Sequence, residues 1–147
     1  MRMNNVFKGF GHLCLTVNDV DVSLAFYHGL LGFDILMRRE KEVPGVGLLT
    51  VVSLDSSSGA LELVHKHGGG NANDASATSF GWHFSIVVAD IDEAIRQIQA
   101  FGLKIDAQRV DTDANWIGGR TVKSVHFRGP DGEPLEMEQF LERQEPI

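Results

Sequence analysis

The sequence predicts an α+β fold in which two βαβββ modules form a cupped, open-barrel mixed sheet with helices outside. Three observations carry that prediction. The stretch from His12 to Ile35, HLCLTVNDVDVSLAFYHGLLGFDI, returns loosely from His83 to Ile105 as HFSIVVADIDEAIRQIQAFGLKI. His12 meets His83, Asp19 meets Asp90, Val20 meets Ile91 and Asp21 meets Asp92, all at one offset of 71 residues, and a one-residue gap then brings Gly32 to Gly102. The echo resumes where Gly59-Ala60-Leu61-Glu62-Leu63 faces Gly132-Glu133-Pro134-Leu135-Glu136-Met137. Within each copy, period-two strands surround a single stretch of helical period.

Length and composition bound the rest. At 147 residues, 43% hydrophobic and 22% charged, the chain is long enough to bury a real core, and one domain over 1–147 is expected. Its parts are a first module at 9–65, a linker at 66–80 and a second module at 81–140. The net charge of -7 argues against a nucleic-acid partner, which needs clustered Lys and Arg. A single cysteine, Cys14, cannot form an internal disulfide. With neither a charged-then-apolar leader nor a run of ~18 apolar residues, the expectation is a cytoplasmic protein with no membrane partner.

The elements follow in order. Residues 1–8 have little periodicity. From Gly11 to Val17 the chain alternates, with His12, Cys14 and Thr16 on one face and Leu13, Leu15 and Val17 on the other, as a half-buried strand requires. A helix comes next, with Asp19, Asp21 or Ser23 as candidate caps and Val20, Leu24, Tyr27 and Leu31 at helical spacing; Phe26 and Tyr27 belong to its packing. Gly32 is placed to end it in the left-handed conformation. Phe33 to Lys41 reads as a strand. Pro44 and two glycines make 42–47 a turn or loop before a strand over Leu48–Leu54.

After the Ser56–Gly59 turn, Ala60 to His65 is the first module's last strand, with Leu61 and Leu63 on the helix side and Glu62 opposite. Lys66 to Ser79 has the composition of a linker, and His65-Lys66-His67 reads as solvated chain rather than a metal site. The second module opens with a strand over Trp82–Ala89 whose His83, Ser85 and Val87 share a face. Asp90 caps a helix with the apolar stripe Ile91, Ala94, Ile95, Ile98 and Phe101, ended by Gly102. Strands follow at Leu103–Val110, Thr121–Arg128 and, after the Pro130-Asp131-Gly132 turn, Pro134–Phe140. Asp111 to Gly119 reads as a loop over the site, and Leu141 to Ile147 as a frayed tail.

Strand-face arithmetic directs His12, Glu62, His83 and Glu136 into a common hollow, one His and one Glu from each copy. Imidazole nitrogens with carboxylate oxygens suit one divalent ion per site, nickel, zinc, cobalt, manganese or iron(II), and the lack of thiolates argues against a structural zinc. The competing reading makes the histidines hydrogen-bonded core residues and the glutamates edge-strand charges. Recurrence of all four at matched places favours the shared metal site.

The pattern of a His-bearing strand, "AFYHGLLGF", "ALEL", a second His-strand with "DIDEAI", and "FRGPDGEPLEME" resembles the vicinal oxygen chelate superfamily across roughly residues 9 to 140. That superfamily includes glyoxalase I, methylmalonyl-CoA epimerase, extradiol dioxygenases, and fosfomycin and bleomycin resistance proteins. The resemblance implies paired βαβββ modules, a metal bound through His12, Glu62, His83 and Glu136, a small-molecule substrate and a homodimer. Its two modules can come from one chain or from swapped subunits. The His-Glu-His-Glu order is that of glyoxalase I, whereas the epimerase usually has Gln at the place of Glu62. Glyoxalase I chemistry is that of a lyase or isomerase, moving a proton between adjacent carbons through an enediolate. Glu136 is the first choice as base, with Glu62 ligating or sharing proton transfer.

Two positions depart from the glutathione-binding pattern of bacterial glyoxalase I: Thr16 stands where an Arg is usual, and Lys66 where an Asn is usual. A different thiol adduct, a CoA thioester or another α-hydroxycarbonyl compound therefore stays open. An extradiol ring-cleaving dioxygenase would use His12, His83 and Glu136 around iron(II), with Glu62 the argument against it. A metal-free antibiotic- or ligand-sequestering protein is the third alternative. Cys14 either touches substrate or packs as an inert buried cysteine, the commoner fate. Trp116, Arg120 and Lys123 flank Gly118-Gly119 and either close over an anionic substrate, with Arg120 gripping carboxylate or phosphate, or form a hairpin with surface charges.

Overall fold

Two aspartates fix where the helices begin. Asp19 has extended backbone and its carboxylate accepts from the N–H groups of Asp21 at 2.8 Å and Val22 at 3.1 Å. Asp90 repeats the arrangement with Asp92 at 3.0 Å and Glu93 at 3.1 Å. Each cap satisfies two amide donors that the first helical turn leaves without partners. The duplication seen in sequence therefore extends to individual hydrogen bonds.

The computed structural model describes residues 9–69, 82–111 and 121–141. The chain divides into two compact units, Met1–Asn73 and Asp74–Ile147. The first runs β1 (His12–Thr16), α1 (Val20–Leu24) with a π-helical continuation over Ala25–Leu30, β2 (Asp34–Val43), β3 (Gly47–Asp55) and β4 (Ala60–Lys66). The second runs β5 (Phe84–Val87), α2 (Ile91–Phe101), β6 (Ile105–Asp111), β7 (Val122–Arg128) and β8 (Pro134–Phe140). Both are open four-stranded mixed sheets, ordered β1-β4-β3-β2 and β5-β8-β7-β6. The fold class is thus the predicted α+β arrangement of two βαβββ modules.

In each sheet the first strand pairs parallel with the last and the other pairs are antiparallel. A parallel pair cannot be closed by a tight turn. The helix and two intervening strands supply the connection, which places the His-bearing first strand beside the Glu-bearing last strand. Matched irregularities accompany this: register shifts fall between Ile35 and Met37 on β2 and between Ile105 and Ala107 on β6.

Apolar side chains on one face of each sheet meet the helix. In the first unit Leu15, Val17, Val20, Val52, Leu54, Leu61 and Leu63 are buried; in the second Ile91, Ile98, Val125, Phe127, Leu135 and Met137 are. The predicted alternation of β4 holds, with Leu61 and Leu63 buried and Glu62 half-buried. The α2 stripe fades at its end, since Phe101 is exposed.

Several boundaries differ from expectation. The first helix does not keep an α-helical period: the Leu31 N–H reaches back to the Phe26 carbonyl at 2.9 Å and the Phe33 N–H to the Tyr27 carbonyl at 3.0 Å. Its wider turn leaves the adjacent Phe26 and Tyr27 both fully buried, their rings edge to face with centroids 4.9 Å apart. Gly32 and Gly102 then leave the helices with φ of 76° and 102°, which glycine adopts without a Cβ penalty.

The β2–β3 turn is confined to 44–46, because the Val46 N–H closes on the Val43 carbonyl at 3.0 Å. Lys66 is part of β4 rather than linker, paired with Leu49. His65 and His67 are likewise tied down, His65 Nδ1 lying 3.0 Å from the Val17 carbonyl and His67 Nε2 lying 2.8 Å from Thr50 Oγ1. The second module's first strand is shorter than Trp82–Ala89, and His83 stands just before it. No helix among the described residues is long and apolar enough to cross a membrane.

Candidate functional site

Glu62 and Glu136 each occupy a strand with neighbours on both sides, so each carboxylate meets side chains from two directions. In the first unit Glu62 is in register with Cys14 on parallel β1 and with Ser53 on antiparallel β3. A strand repeats its face every second residue, so His12 lies on the same face as Cys14. His12 Nε2 is 3.3 Å from Glu62 Oε2, and Ser53 Oγ donates to Glu62 Oε1 at 3.3 Å.

The second unit repeats the construction. Glu136 is in register with Ser85 on β5 and with His126 on β7. His83 Nε2 is 3.2 Å from Glu136 Oε2, and His126 Nε2 is 3.4 Å from Glu136 Oε1. The two imidazoles are 5.4 Å apart between centroids, edge to face. Glu136 is buried at 8% exposure, whereas Glu62 is half-buried. A buried carboxylate needs such partners, because an uncompensated one is strongly unfavourable.

Each predicted His is thus brought to the predicted Glu of its own module. Two donors ~2.1 Å from one ion and at a right angle stand about 3 Å apart. Separations of 3.3 and 3.2 Å therefore fit a pair of ligands on one edge of a coordination shell, and without a metal the same pairs can share a proton. Among the described residues no group of three or more His, Cys, Asp or Glu side chains is arranged to hold a metal ion. Each unit offers its predicted His and Glu as one such pair.

Cys14 departs from the expectation of an inert buried cysteine: it is exposed, because the polar face of β1 is open within its unit. Packing on one side nevertheless raises its pKa, and the Glu62 carboxylate raises it further. The thiolate needed for nucleophilic chemistry is disfavoured there. Lys123 is half-buried on β7 in register with Gln139. Trp116 and Arg120, and the loop expected over 111–119 beyond its first residue, lie outside the described residues.

Two residues of the site escaped the sequence reading, Ser53 and His126. The signal for them was the hairpin register. The Pro130-Asp131-Gly132 turn sets His126 opposite Glu136, and the Ser56–Gly59 turn sets Ser53 opposite Glu62.

Comparison with known proteins agrees with this architecture. The profile of the glyoxalase/bleomycin resistance protein/dioxygenase superfamily matches residues 9–137. A probable lactoylglutathione lyase of Vibrio parahaemolyticus is 31% identical over 129 residues, covering 87% of this chain and 88% of that protein. The trypanothione-dependent glyoxalase I of Leishmania major superposes with a TM-score of 0.66 at 25% identity, covering 90% of this chain and 87% of that one. A glyoxalase family protein from Bacillus cereus gives a TM-score of 0.77 at 17% identity over 97% of this chain and 99% of that one, which speaks for the fold alone. With two βαβββ modules and a His–Glu pair in each, this chain belongs to the glyoxalase/bleomycin resistance protein/dioxygenase superfamily.

Proposed function

We propose that the protein is a divalent-metal-dependent lyase or isomerase of glyoxalase I type, with His12, Glu62, His83 and Glu136 holding one ion. The observation that carries this reading is the duplicated pair: imidazole Nε2 facing carboxylate Oε2 at 3.3 Å in one module and 3.2 Å in the other. When bound, the cation would supply Lewis acidity, polarising a substrate oxygen and favouring negative charge beside it. Nickel, zinc, cobalt, manganese and iron(II) all suit this donor set.

The chain's own residues do the rest. Glu136 takes the proton from the carbon next to the substrate carbonyl and returns it to the neighbouring carbon. Glu62 anchors the opposite side or shares the transfer. His12 and His83 would hold the ion through Nε2, the nitrogen each turns toward the carboxylate of its own module. A dioxygenase built on His12, His83 and Glu136 would leave the Glu62 carboxylate without a role, and Ser53 holds that carboxylate in place.

The substrate class follows from what is missing. Thr16 and Lys66 replace the residues that grip glutathione in bacterial glyoxalase I, and both sit on ordered strands. A thiol adduct other than glutathione's, or a CoA thioester, fits better. The relative from Leishmania major named for trypanothione supports a change of thiol within the family. A homodimer, as the family resemblance implies, completes the proposal, and the single cysteine favours the cytoplasm.

The test loads metal-free protein with nickel, zinc and iron(II) separately and assays hemithioacetal isomerisation, CoA-thioester epimerisation and catechol cleavage. One of the first two is expected to respond, and Glu136→Gln should lower its turnover by ~10² or more. Full turnover in that variant would remove Glu136 from proton transfer. Metal binding by His12→Ala and His83→Ala equal to the parent's would overturn the shared site, and activity surviving chelation would favour a metal-free binding protein.

A further inference from the structure

The two glutamates are held by the same scheme but not by the same chemistry. In both modules Oε2 faces the His of the parallel neighbour, and Oε1 faces the residue directly opposite on the antiparallel neighbour. That residue is a hydroxyl in one half and an imidazole in the other: Ser53 Oγ at 3.3 Å from Glu62 Oε1, His126 Nε2 at 3.4 Å from Glu136 Oε1. His126 has a side chain only 12% exposed, and Glu136 at 11% is likewise enclosed. A serine can rotate its hydroxyl away, whereas an imidazole held by packing presents its Nε2 in one direction. The duplication is thus broken at the carboxylate that the chemistry needs most.

We propose that His126 is a positioning residue for Glu136, keeping Oε1 occupied so that Oε2 alone faces His83 and the ion. The inference rests on the metal-dependent reading above and deepens it, since it makes the second module's carboxylate the more constrained of the two. The ring of His126 packs edge to face against that of His83, so the same side chain also fixes the plane of a ligand. Partners that orient ligating carboxylates and histidines in this way typically change metal affinity or activity by about 10- to 100-fold when removed. Ser53, with a rotatable hydroxyl and a less buried glutamate, should matter less.

The experiment uses cobalt(II) as the probe, titrated into the metal-free full-length protein, with the visible absorption spectrum and the dissociation constant as readouts. His126→Phe keeps a ring of similar shape and removes the nitrogen; His126→Gln restores an N–H donor near the same place. The expected result is that His126→Phe still binds one ion with unchanged stoichiometry, but with affinity about 10-fold or more weaker and with shifted d–d bands. His126→Gln should recover most of the spectrum, and Ser53→Ala should change it less than His126→Phe does.

A spectrum and affinity unchanged in His126→Phe, with the parent binding cobalt, would overturn the inference while leaving the metal site standing. Loss of all binding in His126→Phe, as in His83→Ala, would make His126 a ligand and overturn its positioning role. If the parent itself takes up no cobalt, the metal-dependent reading falls, and this inference with it.

Discussion

Glu133 shows how much one side chain can organise. It is fully buried at the head of β8, where its Oε2 accepts from the Asp131 N–H at 2.8 Å while its carbonyl accepts from the Gly129 N–H at 2.9 Å. A Cβ at position 129 would land on the Glu133 carboxylate. Gly129 is there for space, not for an unusual φ. Gly129→Ala should therefore displace a buried, hydrogen-bonded carboxylate and destabilise the protein by about 1–3 kcal/mol, read as a lower urea midpoint. Adding Glu133→Ala should make the second substitution cheaper than it is alone; strict additivity would mean that Glu133 swings aside freely. The same hairpin sets the register that delivers His126 to Glu136, so its stability bears on the site. Nothing in the sequence singles out Glu133, because a single chain of letters does not report that a carboxylate is enclosed by its own turn.

Elements were legible to the degree that local chemistry fixes them. Asp90 predicted one helix start and Asp19, Asp21 or Ser23 the other, of which Asp19 is the cap, since an N-cap acts through its nearest amides; Gly32 and Gly102 predicted both ends. The pairing of His12 with Glu62 was legible because a strand's period is two whatever it packs against. The π-helical turn over Ala25–Leu30 was not, because burying the adjacent Phe26 and Tyr27 is a tertiary demand that an α-helical stripe does not announce. Nor was His126, which lies ten residues before Glu136 and meets it only across a turn. Helix α2 also carries a pH signature. Hydrogen bonds from Gln97 and Arg96, and the Arg96 charge, hold the Glu93 carboxyl below its ordinary value of about 4.5. A lowered carboxylate pKa contributes stability that is present above the unfolded value and lost as pH falls through the folded one. The difference in thermal midpoint between the parent and Glu93→Gln should hence be small, since the pair is fully exposed and solvent-screened, and should shrink further as pH drops below about 4.5. A difference that grows on acidification would place the stabilisation elsewhere.

At the scale of the whole molecule, the question is whether two His–Glu pairs act as one site or as two. Linkage separates these cases without any substrate. A ligand that binds only the folded state stabilises it by RT ln(1 + [L]/Kd), about 2.7 kcal/mol at a hundredfold excess over Kd. If both modules serve one ion, His12→Ala and His83→Ala should each abolish nearly all of the nickel-induced rise in thermal midpoint, measured against that variant's own metal-free midpoint. Two independent pairs would behave otherwise, because each variant would keep the contribution of the intact module and only the double variant would lose everything. The comparison must use each variant's own baseline, since removing an imidazole 3.3 or 3.2 Å from a carboxylate changes stability in the metal-free state as well. Chelation should return the parent to its baseline. Retention of roughly half the parental shift in both single variants would refute one shared ion and leave two weak pairs in its place. That arrangement would also remove the reason for a duplicated module to carry one His and one Glu in each copy, because a pair of donors alone holds a divalent ion loosely.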